Sequence, residues 1–271
     1  MDLKDLIINE FNNELNDIED VALLFSGGTD SLTCLYSLLR MGIRPKLYTF
    51  RLEDVEHKDV IVSRQVAKYY NLDLKEVVIR KDVEQLIDDV KFLTINMNLK
   101  LKTNVQCSYP FLHVLKEVKE KYVISGLCAD DLYGTSKSMS IKCSNDKELF
   151  DTIRVKTFNN EFASAYNPIK YIVENLYGKK FIAPYKTKAV FDYFMKYSWK
   201  ELNKPKQKQV AINAFDEEFK ELKVYRRNVN LQVGSKIREW HNILLNTDLN
   251  VNKRKRVDEI YKDLNKGVVE L

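Results

Sequence analysis

Residues 21–31 read Val-Ala-Leu-Leu-Phe-Ser-Gly-Gly-Thr-Asp-Ser, and the fold is decided in this stretch. Five consecutive apolar residues predict a strand buried on both faces. A small polar loop follows at once, and a helix begins near Asp30. Gly27 and Gly28 let the backbone bend sharply and bring its N–H groups close to a ligand. Ser26 and Ser31 add hydroxyl donors, and the following helix points its positive N-terminal end at the same spot. Such a cradle suits pyrophosphate, with Ser26, Gly27, Gly28, Thr29, Asp30 and Ser31 as its candidate residues. Asp30 is the odd member, because a carboxylate repels phosphate unless a cation lies between them. The inference is Mg²⁺ held on a nucleotide's phosphates. A plain strand-to-helix turn capped by Ser or Asp would use the same residue types. The place directly after the first buried strand, where α/β folds put ligands, favours the cradle. It is not a Walker loop, since the Gly-Lys-Ser/Thr ending is missing.

Working outward, Leu3, Leu6, Ile7, Phe11 and Leu15 recur at helical spacing and predict a helix over residues 2–16. Leu32, Leu35, Leu38 and Leu39 mark the helix after the loop, ending at Gly42. Strands are predicted at Pro45–Phe50, Leu74–Ile79 and Tyr122–Ser125. Helices are predicted at Val60–Tyr70, Val83–Met97 and Tyr109–Glu120. Strands alternating with helices predict an α/β fold, a twisted parallel sheet with helices on both faces. Beyond about residue 145 the pattern becomes mainly helical, with one strand-like piece at Phe181–Pro184. The expected division is a nucleotide-binding α/β part over 1–145 and a mainly helical, substrate-side part over 146–271 packed on it.

The bulk properties exclude several classes. The 271-residue chain is 45% apolar, and no run approaches the length of an apolar membrane span. The N-terminus, Met-Asp-Leu-Lys-Asp-Leu, lacks the basic start and apolar core of a signal peptide. Cys34, Cys107, Cys128 and Cys143 form no CxxC pair, so reduced thiols in a cytoplasmic protein are expected. A net charge of +5 suits an anionic small molecule or RNA without arguing for either. The run Lys253-Arg254-Lys255-Arg256 reads as a solvated helix end, with a nucleic-acid contact as the alternative.

A second motif, Ser125-Gly126-Leu127-Cys128-Ala129-Asp130-Asp131-Leu132-Tyr133-Gly134, repeats the logic of the first. A strand ends, a glycine follows, and carboxylates arrive at the sheet's carboxyl edge. Two strand ends delivering Asp30 and Asp130 to one crevice would clamp Mg²⁺-pyrophosphate. One of Asp130 and Asp131 can equally serve as a helix cap.

The first motif resembles the PP-loop of the ATP pyrophosphatases, Ser-Gly-Gly-x-Asp-Ser. The second resembles the Ser-Gly-x-Gly-Ala-Asp-Glu-Leu-Phe-Gly segment of the asparagine synthetase and β-lactam synthetase family. Asp59-Val60, Arg64-Gln65-Val66-Ala67, Pro110-Phe111 (a helix start in that family), Ala183-Pro184-Tyr185 and Leu231-Gln232-Val233-Gly234-Ser235 extend the likeness. It implies a Rossmann-like PP-loop fold in which ATP sits on the Ser26–Ser31 loop beside Gly126. Its adenine would lie against backbone around Tyr48–Phe50, and Asp30 and Asp130 would hold Mg²⁺. A substrate oxygen would attack the α-phosphorus, and an external nucleophile would then displace AMP.

Two departures from the pattern bear on the chemistry. About 20 residues precede the first motif, so ammonia, an amine or a sulfur donor is expected from outside, as from a separate donor enzyme. The family's C-terminal lysine falls on Asn228. Arg226 or Arg227 could supply the missing charge, as could Lys206 or Lys208, with Arg227 and Lys206 the chosen candidates. Cys128 stands where the family has Gly, either as a reactive thiol or as a small residue filling that place, and Cys107 lies near the same edge. Cys34 is expected in the core, and His57 in an exposed loop. The leading reading is amide or C–N bond formation on a small-molecule or nucleobase acceptor. The alternative is sulfur insertion into a nucleobase, nucleoside or tRNA, with tRNA less favoured, and a further one is a non-catalytic nucleotide-binding subunit. A homodimer is compatible with all three; a membrane role is not.

Overall fold

The computed structural model describes residues 2–16, 20–160, 165–223, 230–250 and 256–267. Five parallel strands form one sheet: β1 (Val21–Leu24), β2 (Lys46–Leu52), β3 (Leu74–Ile79), β4 (Tyr122–Ser125) and β5 (Lys180–Ile182). Their spatial order is β3-β2-β1-β4-β5. The chain builds outward from β1 through β2 to β3, then returns to lay β4 on β1's other side. The connections leaving β1 and β4 therefore diverge, and a crevice opens between them at the carboxyl edge. Register makes the two strand ends level, with Leu24 opposite Ser125.

All four residues of β1 and of β4 are buried, as central strands covered on both faces must be. Alternation divides their side chains between two hydrophobic clusters. Val21, Leu23 and Ile124 join α1 (Leu3–Glu14) and α2 (Thr29–Arg40) on one face. Ala22, Leu24 and Val123 join α5 (Lys102–Glu117) on the other. α1 is fixed at its start by a capping box between Asp2 and Asp5 and buries Leu3, Ile7 and Phe11. The edge strand β3 leaves Lys75 and Val78 exposed, as a strand without a second partner does. Packing does not pause at residue 145. Both clusters combine residues from either side of it, so the expected helical part is continuous with the sheet's cores.

Three expectations shift. β2 runs on to Leu52, two residues past the predicted end. The helix expected from Tyr109 begins at Lys102 and passes through Pro110, which is an interior residue rather than a helix start. Its first turns were hidden because Asn104, Gln106 and Ser108 are buried polar residues, so no apolar stripe announces them. The helix α4 (Val83–Lys91) continues over Phe92–Asn96 as wider π-type turns. Among the described residues no helix is long and apolar enough to cross a membrane.

Candidate active site

The loop after β1 is tied by its own serines. Ser26 Oγ accepts the Gly28 N–H at 3.2 Å, and Ser31 Oγ donates to the Gly28 carbonyl at 3.0 Å. Gly27 has φ +64°, and a Cβ there would lie 2.5 Å from Val62 Cγ1 on α3 (Lys58–Tyr70). Glycine is thus required both for conformation and for space. Gly28 is the N-cap of α2 and makes no side-chain cap, so Thr29, Asp30 and Ser31 form a first turn whose N–H groups have no partner within the helix. Thr29 and Ser31 are buried.

Gly126 explains how the second motif reaches the first. A Cβ at this position would sit 2.7 Å from the Asp30 carbonyl carbon and 2.8 Å from its oxygen. Only glycine lets the chain leaving β4 lie against the first turn of α2. Cys128 then adopts φ +71°, a left-handed conformation that favours glycine, and opens α6 (Ala129–Tyr133). Asp130 comes from the first turn of α6.

The two carboxylates meet at one cation. Lys208 Nζ lies 2.5 Å from Asp30 Oδ2 and 2.7 Å from Asp130 Oδ1. The Lys208 side chain is 5% exposed, Asp30's 18% and Asp130's 50%, so the bridge runs from the interior to the surface of the crevice. Asp130 Oδ1 also accepts from Thr135 Oγ1 at 3.0 Å. Burial pushes the Asp30 carboxyl up to about 6; Lys208 opposes that shift and Asp130 adds to it. Burial works against the Lys208 charge too, but Asp130 and Asp30 outweigh it and hold the ammonium's pKa above the ordinary lysine value. Asp131 is pushed up to about 6 by burial and by Asp130, against the pull of Lys186.

Lys208 is set from its backbone. It has φ +64° and starts the short helix Gln209–Ala214. Its N–H donates to Asn203 Oδ1 at 3.4 Å, and Asn203 Nδ2 in turn donates to the Tyr133 carbonyl at 2.7 Å. Gln207 Nε2 donates to the Thr135 carbonyl at 3.1 Å. The lysine loop is thereby stitched to the segment that carries Asp130.

Lys206, the chosen lysine, is exposed, while its neighbour two residues on enters the crevice. In Lys206-Gln207-Lys208 nothing in the composition separates the two lysines; the backbone turn at Lys208 does. Tyr48 sends its hydroxyl away from the loop to Glu120 Oε2, 2.8 Å, and its carbonyl accepts the Phe25 N–H. The aromatic ring therefore packs within the sheet's core. Phe50 is nearly buried with its ring 6.2 Å from Phe111, and its carbonyl lies 2.9 Å from His57 Nε2. His57 is buried, not exposed, because that hydrogen bond folds the loop after β2 back on the strand. Cys107 Sγ donates to Gln232 Oε1 at 3.4 Å, and burial pushes this thiol up to about 12. Cys34 is fully buried in the core. Arg226, Arg227 and Asn228 lie outside the described residues.

Among the described residues no group of three or more His, Cys, Asp or Glu side chains could hold a metal by itself. A pair of carboxylates at the phosphate loop is the donor set expected where a nucleotide supplies the remaining oxygens. Asp30 Oδ1 is buried and makes no hydrogen bond, which leaves one lone-pair-bearing atom for such an ion.

The sheet order, the glycine-rich cradle and the paired aspartates at the switch point define an α/β nucleotide-binding protein of the PP-loop class. The sequence model of the family described as asparagine synthase matches residues 2–256, and the chain belongs to that family. Membership makes it an ATP-using protein of PP-loop adenylation chemistry. A search of curated proteins finds no match. Among solved structures it is similar to a predicted subunit of tRNA methyltransferase from Methanocaldococcus jannaschii, with TM-score 0.37 and 13% identity over 78% of this chain and 93% of that one. It is also similar to the U34-tRNA thiolase NcsA from Methanococcus maripaludis, solved with its 4Fe–4S cluster, with TM-score 0.38 and 15% identity over 99% of this chain and 81% of that one.

Proposed function

We propose that the chain is an AMP-forming ligase that joins a carboxylate-bearing acceptor to an external amine or ammonia. The observation that carries this reading is the convergence of Asp30 and Asp130 on one cation beside a phosphate cradle. In this reading the N–H groups of the Ser26–Ser31 loop receive the polyphosphate. Asp30 and Asp130 would hold Mg²⁺, which when bound neutralises phosphate charge. An acceptor carboxylate oxygen attacks the α-phosphorus, the bond between that phosphorus and the bridging oxygen breaks, and pyrophosphate leaves with the electron pair. The amine nitrogen then attacks the acyl carbon, the carbon–oxygen bond to AMP breaks, and the nitrogen's surplus proton passes to solvent. Lys208, the buried cation of the crevice, lies where it can offset charge on the departing pyrophosphate.

Nitrogen is favoured over sulfur by the state of the thiols. Cys107 is held protonated by burial, and Cys34 is fully enclosed. Cys128 occupies a glycine-like backbone conformation, which suits a small spacer. The test is product analysis with Mg-ATP and a panel of carboxylates and amines. AMP and pyrophosphate in equal amounts, dependent on both co-substrates, are expected. ADP and phosphate would refute the reading, and dependence on sulfide with loss of turnover in Cys128→Ala would replace ligation by thiolation.

A further inference from the structure

We infer that Lys208 is a resident counter-ion that holds the place of the divalent cation, so that the metal enters only together with the polyphosphate. The inference rests on the ATP-binding reading above and adds an order of events to it. Its starting point is geometric. The ammonium lies within hydrogen-bond distance of one oxygen from each aspartate, at 2.5 and 2.7 Å, which is where a cation shared by the two would sit. A magnesium ion needs oxygen ligands at close range and cannot share that gap with an ammonium.

Moving the ammonium out has a consequence of its own. Its ion-pair partners among the described residues are Asp30 and Asp130, and its side chain is almost fully buried. Displaced by metal alone, it would be a buried charge parted from both of its ion-pair partners among the described residues, which is strongly unfavourable. A polyphosphate on the adjacent loop supplies new acceptors and removes that penalty. The backbone around the lysine is held by hydrogen bonds, so the exchange is assigned to the side chain. Asn203 holds the Lys208 N–H, Gln207 holds the Thr135 carbonyl, and the four-carbon stem alone changes direction. The Tyr133 ring, centred 5.7 Å from Nζ, lines the path with a face that tolerates a cation. The same device keeps two carboxylates from facing each other unneutralised when no nucleotide is present, one of them deep in the crevice.

The experiment measures metal binding without turnover. Mn²⁺ is titrated by electron paramagnetic resonance, and melting is followed with Mg²⁺ alone and with Mg-ATP, in the wild type, Lys208→Met and Lys208→Gln. The wild type is expected to bind Mn²⁺ alone weakly and to be stabilised by Mg-ATP but not by Mg²⁺. Both variants should bind Mn²⁺ alone about tenfold more tightly or better, since the competing charge is gone. Both should also melt higher in Mg²⁺ alone. Adding Asp30→Asn to Lys208→Gln should abolish the gain. Equal Mn²⁺ affinity in wild type and in either folded variant would overturn the inference, as would a gain that survives Asp30→Asn. AMP formation, assayed separately, reports on the ligase reading. Its absence alongside the gain in metal binding would refute that reading and leave the counter-ion in place.

Discussion

The loops after β1 and after β4 carry the same three parts, a buried strand end, a glycine and an aspartate, yet they are built to opposite specifications. The first turns into α2, a 12-residue helix whose body is buried, and its Asp30 side chain is 18% exposed. The second turns into α6, a 5-residue helix, and its Asp130 side chain is 50% exposed. A long helix brings an N-terminal field and a fixed first turn, so the first loop can hold phosphate. A short one brings neither to that degree and serves to present a carboxylate from the other side. Lys208 reads the difference. Asp30, the less exposed of its two aspartates, has its carboxyl pKa raised by burial.

This contrast predicts unequal losses when each charge is removed in place. Asp30→Asn should lower AMP-forming kcat/KM by about 10³-fold, the scale of a lost electrostatic contact in a water-poor site. Asp130→Asn, in a wetter position with Thr135 beside it, should lose about 10–100-fold. Equal losses would mean that exposure does not rank the two carboxylates. Steady-state assays at saturating acceptor decide this.

Glycine geometry gives the next effect. Gly126→Ala would push a methyl group into the Asp30 backbone, whose atoms cannot swing aside. A destabilisation of about 1–3 kcal/mol is expected, together with a raised KM for ATP as the two loops separate. Gly27→Ala, clashing with Val62 and strained at positive φ, should destabilise similarly by urea unfolding. Its effect should fall on the phosphate loop alone, with Asp130→Asn still additive to it.

Titration sharpens the comparison further. The buried Asp30 has its pKa raised to about 6, so below that pH it takes a proton and loses its charge toward a cation. Mg-ATP affinity should therefore hold above neutrality and fall by about tenfold per pH unit below about 6. The sign follows from a carboxylate needed in its ionised form. Asp130→Asn should keep the acid limb but move it to lower pH, since Asp130 adds to the raised pKa of Asp30, whereas Asp30→Asn should abolish it. Isothermal titration between pH 5 and pH 8, roughly the range of physiological side-chain titration, tests both.

Much of this contrast is legible in the sequence. Five apolar residues followed by Ser-Gly-Gly-Thr-Asp-Ser announce β1, its turn and α2, because local chemistry alone specifies a buried strand, a sharp bend and a helix start. The pairing of Asp30 with Asp130 was legible for the same reason, as both follow strand ends. Lys208 is legible only as one of four candidate cations, since its selection over Lys206 depends on a left-handed residue and on Asn203, a contact across five positions that no periodicity marks. The start of α5 was hidden by buried Asn104, Gln106 and Ser108, polar residues doing the work of an apolar stripe. Strand position fixes which backbone lies near the loop, around Tyr48–Phe50, but not where a long side chain ends; the Tyr48 hydroxyl donates to Glu120.

The smallest expected effect separates the loops most cleanly. At Cys128 the second loop adopts a left-handed conformation without glycine, whereas at Gly27 the first loop uses glycine for its own. A non-glycine residue there carries strain of roughly 1–2 kcal/mol. Cys128→Gly relieves it but adds backbone freedom to the unfolded chain, worth roughly 0.5–1 kcal/mol in the other direction. The lost thiol also removes contact with the core it touches. The net change should stay within about 1 kcal/mol and lean toward greater stability, with AMP formation retained. Urea unfolding and the AMP assay on one preparation check both halves. A variant that folds as well as the wild type yet makes no product would show that the thiol takes part in the chemistry. The two loops would then differ in reactivity as well as in burial, and the cysteine would have to be counted among the groups that touch substrate.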